Sequence, residues 1–88
     1  MRLDKYLKVS RIIKRRTLAK EICDRQQVRV NGHKAKAGTV VQPGDVVEIY
    51  FGQRFIKIKV LELRETVPAK QAAELYELLE SNKMDIDC

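Results

Sequence analysis

Hydrophobic residues recur at helical spacing from the start of the chain. Leu3, Tyr6 and Leu7 occupy positions i, i+3 and i+4, which predicts a short amphipathic helix, and Ser10 is expected to end or cap it. A second helix is predicted to begin near residue 12 or 13. Its apolar stripe consists of residues three and four positions apart: Leu18, Ala19, Ile22 and Cys23. Each helix therefore has one face suited to a shared core.

The hydrophobic pattern changes after the second helix from a helical period to alternation, which is typical of strands. Val28 and Val30 alternate with Arg29 before the dipeptide Asn31-Gly32. That dipeptide predicts a type I′ hairpin turn, because both of its positions accept a positive φ.

Two longer strands are predicted in the middle of the chain. The turn Pro43-Gly44-Asp45 precedes a strand-like run at 46–51, and a second run at 55–63 follows after Gly52. In the second run, isoleucine and valine alternate with lysine, so one face is apolar and the other is basic. We expect these two runs to pair as a hairpin.

The last third predicts an acidic amphipathic helix. Pro68 suits the first turn of a helix, and apolar residues then repeat at i, i+3, i+4 and i+7. The residues of this apolar stripe are Ala72, Leu75, Tyr76 and Leu79, and the acidic outer face carries Glu74, Glu77 and Glu80. We expect a domain at 1–64 followed by an acidic C-terminal helix and tail at 65–88, which phosphate groups would repel.

Composition restricts the chain to one small domain. Its 88 residues are 44% hydrophobic and 34% charged, which suits a modest core in a soluble protein. No run approaches the length of a membrane span, and the charged N-terminus does not resemble a secretory signal, so we expect a cytoplasmic protein. Cys23 and Cys88 are expected to be reduced, and no spacing predicts a metal, a cofactor or a catalytic site.

The charge is distributed unevenly along the chain, and this indicates a nucleic-acid partner. Residues 1–36 contain twelve Lys or Arg and three acidic residues. Residues 65–88 contain two Lys and six acidic residues. Such a separation favours binding to a polyanion over a merely solvated charged surface. Arg11, Lys14 and Arg15 occupy positions i, i+3 and i+4, which predicts that they share one side of the helix. Arg16 and Lys20 occupy positions i and i+4, so they are also expected to be neighbours on the helix surface.

The scarcity of aromatic residues favours folded RNA over unpaired bases as the partner. Only Tyr6 lies in the basic third, and a core position suits it better than a stacking role. His33 is expected at the surface near the hairpin tip, where it could accompany Lys34 and Lys36 in secondary phosphate contacts. We therefore predict recognition by shape and phosphate position.

Four motifs together resemble the S4 RNA-binding domain in order and spacing. They are Arg2-Leu3-Asp4-x-x-Leu7, Arg16-x-x-Ala19-x-x-Ile22, Val28-x-Val30-Asn31-Gly32 and Pro43-Gly44-Asp45, and they span about residues 1–50. The resemblance implies an α+β fold in which two N-terminal helices pack on a small, bent antiparallel sheet. It also implies that the basic helix face holds structured RNA.

The resemblance also selects the residues expected to contact RNA. Arg2 and Arg16 belong to its motifs, and the others lie in the same basic region. The full set is Arg2, Ser10, Arg11, Lys14, Arg15, Arg16, Thr17 and Lys20. Asp4 has a different expected role, because an acid among cations either fixes an arginine by a charge-assisted pair or caps the first helix.

The opening segment most resembles the small ribosome quality-control and heat-shock members of this family. That resemblance implies a non-catalytic factor on large ribosomal subunits that remain obstructed after a ribosome has stalled. The oligomeric state is open from the sequence, and a monomer is the simpler expectation. The expected partners are large-subunit rRNA, peptidyl-tRNA and RqcH, the protein that adds alanine tails to the nascent chain.

Three other functions remain open from the sequence. The first is a heat-shock-type factor that recycles nascent-chain-carrying large subunits without a role in tailing. The second is an RNA-binding accessory subunit of an RNA-modifying enzyme, since the chain is expected to be too short to be that enzyme itself. The third is a DNA-binding helix-turn-helix protein, which the long β segment after the second helix fits less well.

The chain departs from the family pattern at one position. The family usually has glycine directly after the second helix, and this chain has Gln26. A left-handed Gln26 would cost about 1–2 kcal/mol relative to glycine. The angle between the second helix and the first hairpin depends on how this turn is made.

Overall fold

The part of the chain that the structure describes folds into two helices, a five-stranded antiparallel sheet and a short 3₁₀ helix. The computed structural model describes residues 1–51 and 54–83. The elements in chain order are α1 (Leu3–Val9), α2 (Arg16–Asp24), β1 (Val28–Val30), β2 (His33–Lys34), β3 (Val46–Phe51), β4 (Arg54–Val60), a 3₁₀ helix (Ala69–Leu75) and β5 (Tyr76–Lys83). The sheet order is β2-β1-β3-β4-β5. This confirms the predicted α+β class.

Helix α1 has the predicted apolar face. Leu3, Tyr6 and Leu7 are fully buried and join the single core that the helices and the sheet share. The Tyr6 hydroxyl donates a hydrogen bond of 2.9 Å to the backbone carbonyl of Leu75, which ties α1 to the C-terminal part of the chain. Ser10 follows the helix as its C-cap, as predicted.

Helix α2 begins later than predicted. It starts at Arg16 because Arg11 adopts a left-handed φ of 61°, which ends α1 and leaves residues 11–15 outside both helices. The expectation that Arg11, Lys14 and Arg15 share a helix side is therefore wrong. Three members of the predicted apolar stripe are buried, whereas Leu18 remains 46% exposed.

The central turns and strands follow the sequence pattern. Asn31 and Gly32 have φ values of 54° and 84°, as a type I′ turn requires, and Gly44 has a φ of 98°. Strands β3 and β4 form the predicted hairpin, with Val47 opposite Ile58 and Ile49 opposite Ile56. Strand β4 ends at Val60, earlier than expected.

The C-terminal segment is helical only in its first part. The 3₁₀ helix ends at Leu75, and the prediction of a helix that continues through Leu79 is wrong. Residues 76–83 form β5, which pairs with β4 along the edge that β3 does not cover. The backbone N–H and C=O groups of that edge thereby gain hydrogen-bond partners. Glu77 and Glu80 lie opposite Lys59 and Lys57, so their charges favour a strand at this edge over a solvated helix face.

The turn after α2 is made with Gln26 in the left-handed conformation. Its φ is 61°, and its backbone N–H donates to the carbonyl of Cys23 at 2.9 Å. A side chain is unfavourable in this region because Cβ approaches the following carbonyl oxygen. The chain therefore keeps the glycine-type turn at an energetic cost.

We expect Gln26→Gly to stabilise the protein by about 1 kcal/mol, since glycine adopts this φ without strain. Urea denaturation measures the change. Gln27→Gly is the matched control. The φ of Gln27 is not positive, so glycine there relieves no strain. It removes a half-buried side chain and should destabilise the protein. Destabilisation by Gln26→Gly would contradict the interpretation.

Candidate nucleic-acid interface

A buried carboxylate organises the basic surface at the start of the two helices. The Asp4 side chain is 3% exposed, and its two oxygens contact different arginines. Arg2 Nε lies 3.3 Å from Oδ1, and Arg16 Nε lies 3.4 Å from Oδ2. A buried charge is costly unless it is paired, so Asp4 holds both arginines beside it.

The backbone brings these three residues together from two distant parts of the sequence. The Leu3 N–H donates to the Thr39 carbonyl at 2.7 Å, and the Asp4 N–H donates to the Ala37 carbonyl at 3.2 Å. Asp4 lies in the first turn of α1, and Arg16 is the first residue of α2. The cluster therefore forms where the N-termini of both helices meet the loop after β2.

An open cleft surrounds this cluster. Arg2, Asp4, Arg16, Thr17 and Lys20 line it. The side chains of Arg2 and Arg16 are 53% and 50% exposed, and each contacts Asp4 through its Nε atom. In the described part of the chain their terminal nitrogens have no partner and remain available to a ligand. Three cations against one carboxylate make the cleft basic and suited to phosphate oxygens.

The other predicted RNA contacts lie outside this cleft. Arg11 and Lys14 border a pocket that also contains Lys8 and Glu65. Lys14 and Arg15 border a separate groove with an apolar lining. The eight predicted residues thus do not form one face.

Ser10 requires a correction. Its side chain is buried, and its hydroxyl donates a hydrogen bond to the Leu7 carbonyl at 3.2 Å. A buried hydroxyl with this partner does not reach a ligand on the surface. We therefore withdraw Ser10 as an RNA contact and assign it to the end of α1.

Two exposed basic residues outside the eight predicted RNA contacts are Lys36, in the loop after β2, and Arg29, in β1. Lys36 is exposed and precedes Ala37, whose carbonyl accepts from the Asp4 N–H, so it lies beside the cleft. Arg29 lies over the ring of Tyr50, 5.8 Å from its centroid. Lys36 was expected from the sequence to make secondary phosphate contacts, because it follows the first hairpin. The contact of Arg29 with Tyr50 depends on the pairing of β1 with β3, which residue spacing does not reveal.

The described residues also bear on other kinds of site. Burial raises the pKa of the Cys23 thiol to about 11, with smaller contributions from Asp4 and Asp24, so the thiol is neutral and packs as a core side chain. Residues 1–51 and 54–83 contain no cluster of side chains that could hold a metal ion. None of the helices described is long and apolar enough to cross a membrane.

Comparison with known proteins gives consistent matches. The model of the S4 domain family matches residues 1–47. The chain is 55% identical to the RQC P-site tRNA stabilizing factor of Halalkalibacterium halodurans, over 89% of each chain. It is 49% identical to the Bacillus subtilis protein of the same name, over 96% of this chain and 98% of that one.

A solved structure has the same fold. The chain superposes on Heat Shock Protein 15 of Vibrio cholerae with a TM-score of 0.82 at 29% sequence identity. The match covers 89% of this chain and 80% of the other. The similarity extends beyond the segment that the family model matches, so it includes the later strands.

Proposed function

The chain belongs to the S4 domain family, and we propose that it is a non-catalytic RNA-binding factor of the large ribosomal subunit. In this proposal it binds rRNA and peptidyl-tRNA on subunits that remain obstructed after a ribosome has stalled. Support comes from the names of its relatives, which describe stabilisation of a P-site tRNA. RqcH is the proposed partner, and alanine tailing of the nascent chain is the process supported.

The observation that carries this proposal is the buried Asp4 carboxylate between Arg2 and Arg16. The contact fixes the Nε side of each guanidinium and thereby limits its rotation. An arginine held in advance loses less conformational entropy when it binds phosphate than a freely rotating one. We propose Arg2, Arg16, Thr17 and Lys20 as the RNA contacts, while Arg11, Lys14 and Arg15 stay predictions from the sequence.

The remaining part of the chain fits the same proposal. We assign RNA binding to residues 1–64 and expect the acidic segment 65–88 to stay away from phosphate. Glu77 and Glu80 lie opposite lysines of β4 and offset the positive charge of that strand. We further propose that the protein acts as a monomer in the cytoplasm.

Binding to large subunits should depend strongly on salt. If Arg2, Arg16 and Lys20 each neutralise one phosphate, the logarithm of affinity falls with the logarithm of salt with a slope of about −3, at roughly −0.9 per contact. Purified large subunits carrying peptidyl-tRNA and a series of salt concentrations measure this slope. A slope near zero would contradict phosphate binding.

The RNA recovered with the protein tests the proposed partner. A tagged chain isolated from gently lysed cells at low salt is expected to carry large-subunit rRNA and tRNA, which high salt removes. Sequencing identifies the RNA. Recovery of free tRNA, mRNA or DNA without large-subunit proteins would leave the fold unaffected and contradict the ribosomal function.

Recycling of obstructed subunits without tailing is the second candidate function, and the similarity to Heat Shock Protein 15 favours it. The two functions differ in one product. In cells that lack this chain, a stalled reporter loses its alanine tail if the protein supports tailing. The reporter keeps its tail, and large subunits with nascent chains accumulate, if the protein only recycles. Mass spectrometry of the reporter distinguishes these outcomes.

A further inference from the structure

An apolar groove lies on the opposite side of α2 from the Asp4 cleft. The cleft takes Arg16, Thr17 and Lys20 from this helix, whereas the groove takes Leu18 and Ile22. At about 100° per residue these two sets point in opposite directions from the helix axis. The helix therefore presents two chemically different surfaces.

The lining of the groove consists of two residue types. Five of its eight residues are aliphatic: Ile12, Ile13, Leu18, Ile22 and Ile56. The other three are the cations Lys14, Arg15 and Arg54. Leu18 is 46% exposed and Ile12 is only half-buried, so apolar surface remains in water. A ligand that covers it gains hydrophobic free energy.

The charges at the groove favour a ligand that carries negative charge. Lys14, Arg15 and Arg54 come from two separate segments of the chain, and no acidic residue within 1–51 or 54–83 lines the groove with them. An acidic ligand would neutralise all three, whereas a basic one would be repelled. The matching occupant thus carries carboxylates beside an apolar surface.

The aliphatic lining favours a protein over RNA at this groove. Bases are held by stacking on aromatic rings and by hydrogen bonds to their edges. The groove has no aromatic ring and no acceptor side chain among its eight residues. A base placed there would find no ring to stack on and no acceptor for its amino groups, whereas leucine or isoleucine side chains would pack well.

The groove also selects the backbone conformation of its occupant. Strand β4 supplies Arg54 and Ile56 but is already paired on both sides, with β3 and β5. It therefore cannot accept an added strand, and the groove offers side chains only. An occupant must satisfy its own backbone hydrogen bonds, which an α-helix does.

We propose that this groove binds an amphipathic α-helix of a partner protein, whose apolar face is flanked by Asp or Glu. Leu18 is the central apolar contact, and Arg15 and Arg54 pair with the acidic flanks. The proposal goes beyond RNA binding and does not depend on it. It gives α2 a protein-binding face behind its RNA-binding face.

Photocrosslinking from two adjacent positions of α2 tests this proposal. Benzoylphenylalanine replaces Leu18 in one protein and Thr17 in the other, and both are isolated from cells after irradiation. Both positions are exposed, and circular dichroism checks that each protein folds. We expect the Leu18 probe to crosslink to a protein segment with apolar residues at helical spacing and carboxylates beside them. The Thr17 probe is expected to crosslink to RNA.

The chemistry of the crosslinked segment is then measured directly. A synthetic peptide of that segment should bind the full chain, and changing its carboxylates to amides should weaken binding at least tenfold. Crosslinks from the Leu18 position to RNA, to a second copy of this chain or to a segment without acidic residues would overturn the proposal, as would none at all. Failure of the Thr17 crosslink alone would count against the RNA-binding proposal instead.

Discussion

Arg16→Ala is expected to weaken binding to large subunits carrying peptidyl-tRNA by about 10- to 150-fold, which corresponds to roughly 1.5–3 kcal/mol for a charge-assisted hydrogen bond. Arg16 is half exposed in the basic cleft, and Asp4 holds its Nε at 3.4 Å. Alanine removes both the proposed phosphate contact and one partner of the buried carboxylate. Equilibrium binding to purified subunits measures the loss.

Arg25→Ala is the matched control for this prediction. Arg25 follows the other end of α2, pairs with Glu21 at 2.7 Å and is 66% exposed. Exposed pairs of this type contribute little to stability, so both stability and subunit binding should remain close to wild type. Arg16→Lys should retain part of the affinity, since lysine keeps the charge but loses the planar guanidinium. Wild-type binding by Arg16→Ala would contradict the assignment.

Tyr6→Phe is expected to destabilise the fold by about 0.5–1.5 kcal/mol, because it removes a buried hydrogen bond to the Leu75 carbonyl, which keeps the Leu61 and Glu62 N–H groups as donors. The Tyr6 ring is fully buried, and its hydroxyl bonds that carbonyl at 2.9 Å. The bond joins α1 to the point where the 3₁₀ helix becomes β5. Urea denaturation gives the free energy of unfolding for both proteins.

The dependence of stability on pH gives a second readout for Tyr6. Burial raises the pKa of its phenol well above the ordinary value, and the nearby Tyr76 raises it further. Above about pH 10 the unfolded chain releases this proton while the folded chain keeps it, so wild-type stability falls as pH rises. Tyr6→Phe should lose this part of the decline. The raised pKa of Cys23 affects both proteins equally and cancels in the comparison.

Tyr76→Phe serves as the control for the measurement of stability at neutral pH. Tyr76 is half-buried at the start of β5, one residue after Leu75. Its hydroxyl does not support the Leu75 carbonyl, so its removal should change stability by less than about 0.5 kcal/mol. Equal effects of the two substitutions would show that the Tyr6 hydrogen bond has no special importance.

Local chemistry made the tight turns and the buried face of α1 predictable. Asn31-Gly32 and Gly44 form turns that need a positive φ. Asparagine and glycine are the residue types that adopt this φ most readily, so the sequence predicts these turns. Leu3, Tyr6 and Leu7 lie on one face of α1 because residues at i, i+3 and i+4 share one side of an α-helix, and this face is buried. Such features depend on a few adjacent residues and are therefore visible in the sequence.

The errors came from interactions between distant segments. Helical spacing in the last third competes with the pairing of Glu77 and Glu80 against lysines of β4, and pairing across the sheet prevails there. The start of α2 was placed too early because nothing in the residue type of Arg11 indicates a left-handed φ. Gln26 was anticipated only because glycine was expected at its position.

The candidate site was predictable in its members but not in its arrangement. Arg2, Asp4 and Arg16 follow from the motifs, and a charge-assisted role for Asp4 was one of two alternatives. Contact of one carboxylate with both arginines depends on the packing of α1 against α2, across twelve residues of sequence. The separation of Lys14 and Arg15 from the cleft likewise follows only from where α2 begins.

The most direct test of the central claim is a cryo-electron microscopy reconstruction of this protein on large subunits that carry peptidyl-tRNA, at a resolution that shows arginine side chains. We expect rRNA or tRNA phosphates within hydrogen-bonding distance of Arg2, Arg16 and Lys20, with Asp4 still between the two arginines. An Asp4 cleft that faces solvent or protein, while RNA contacts another surface, would contradict the account.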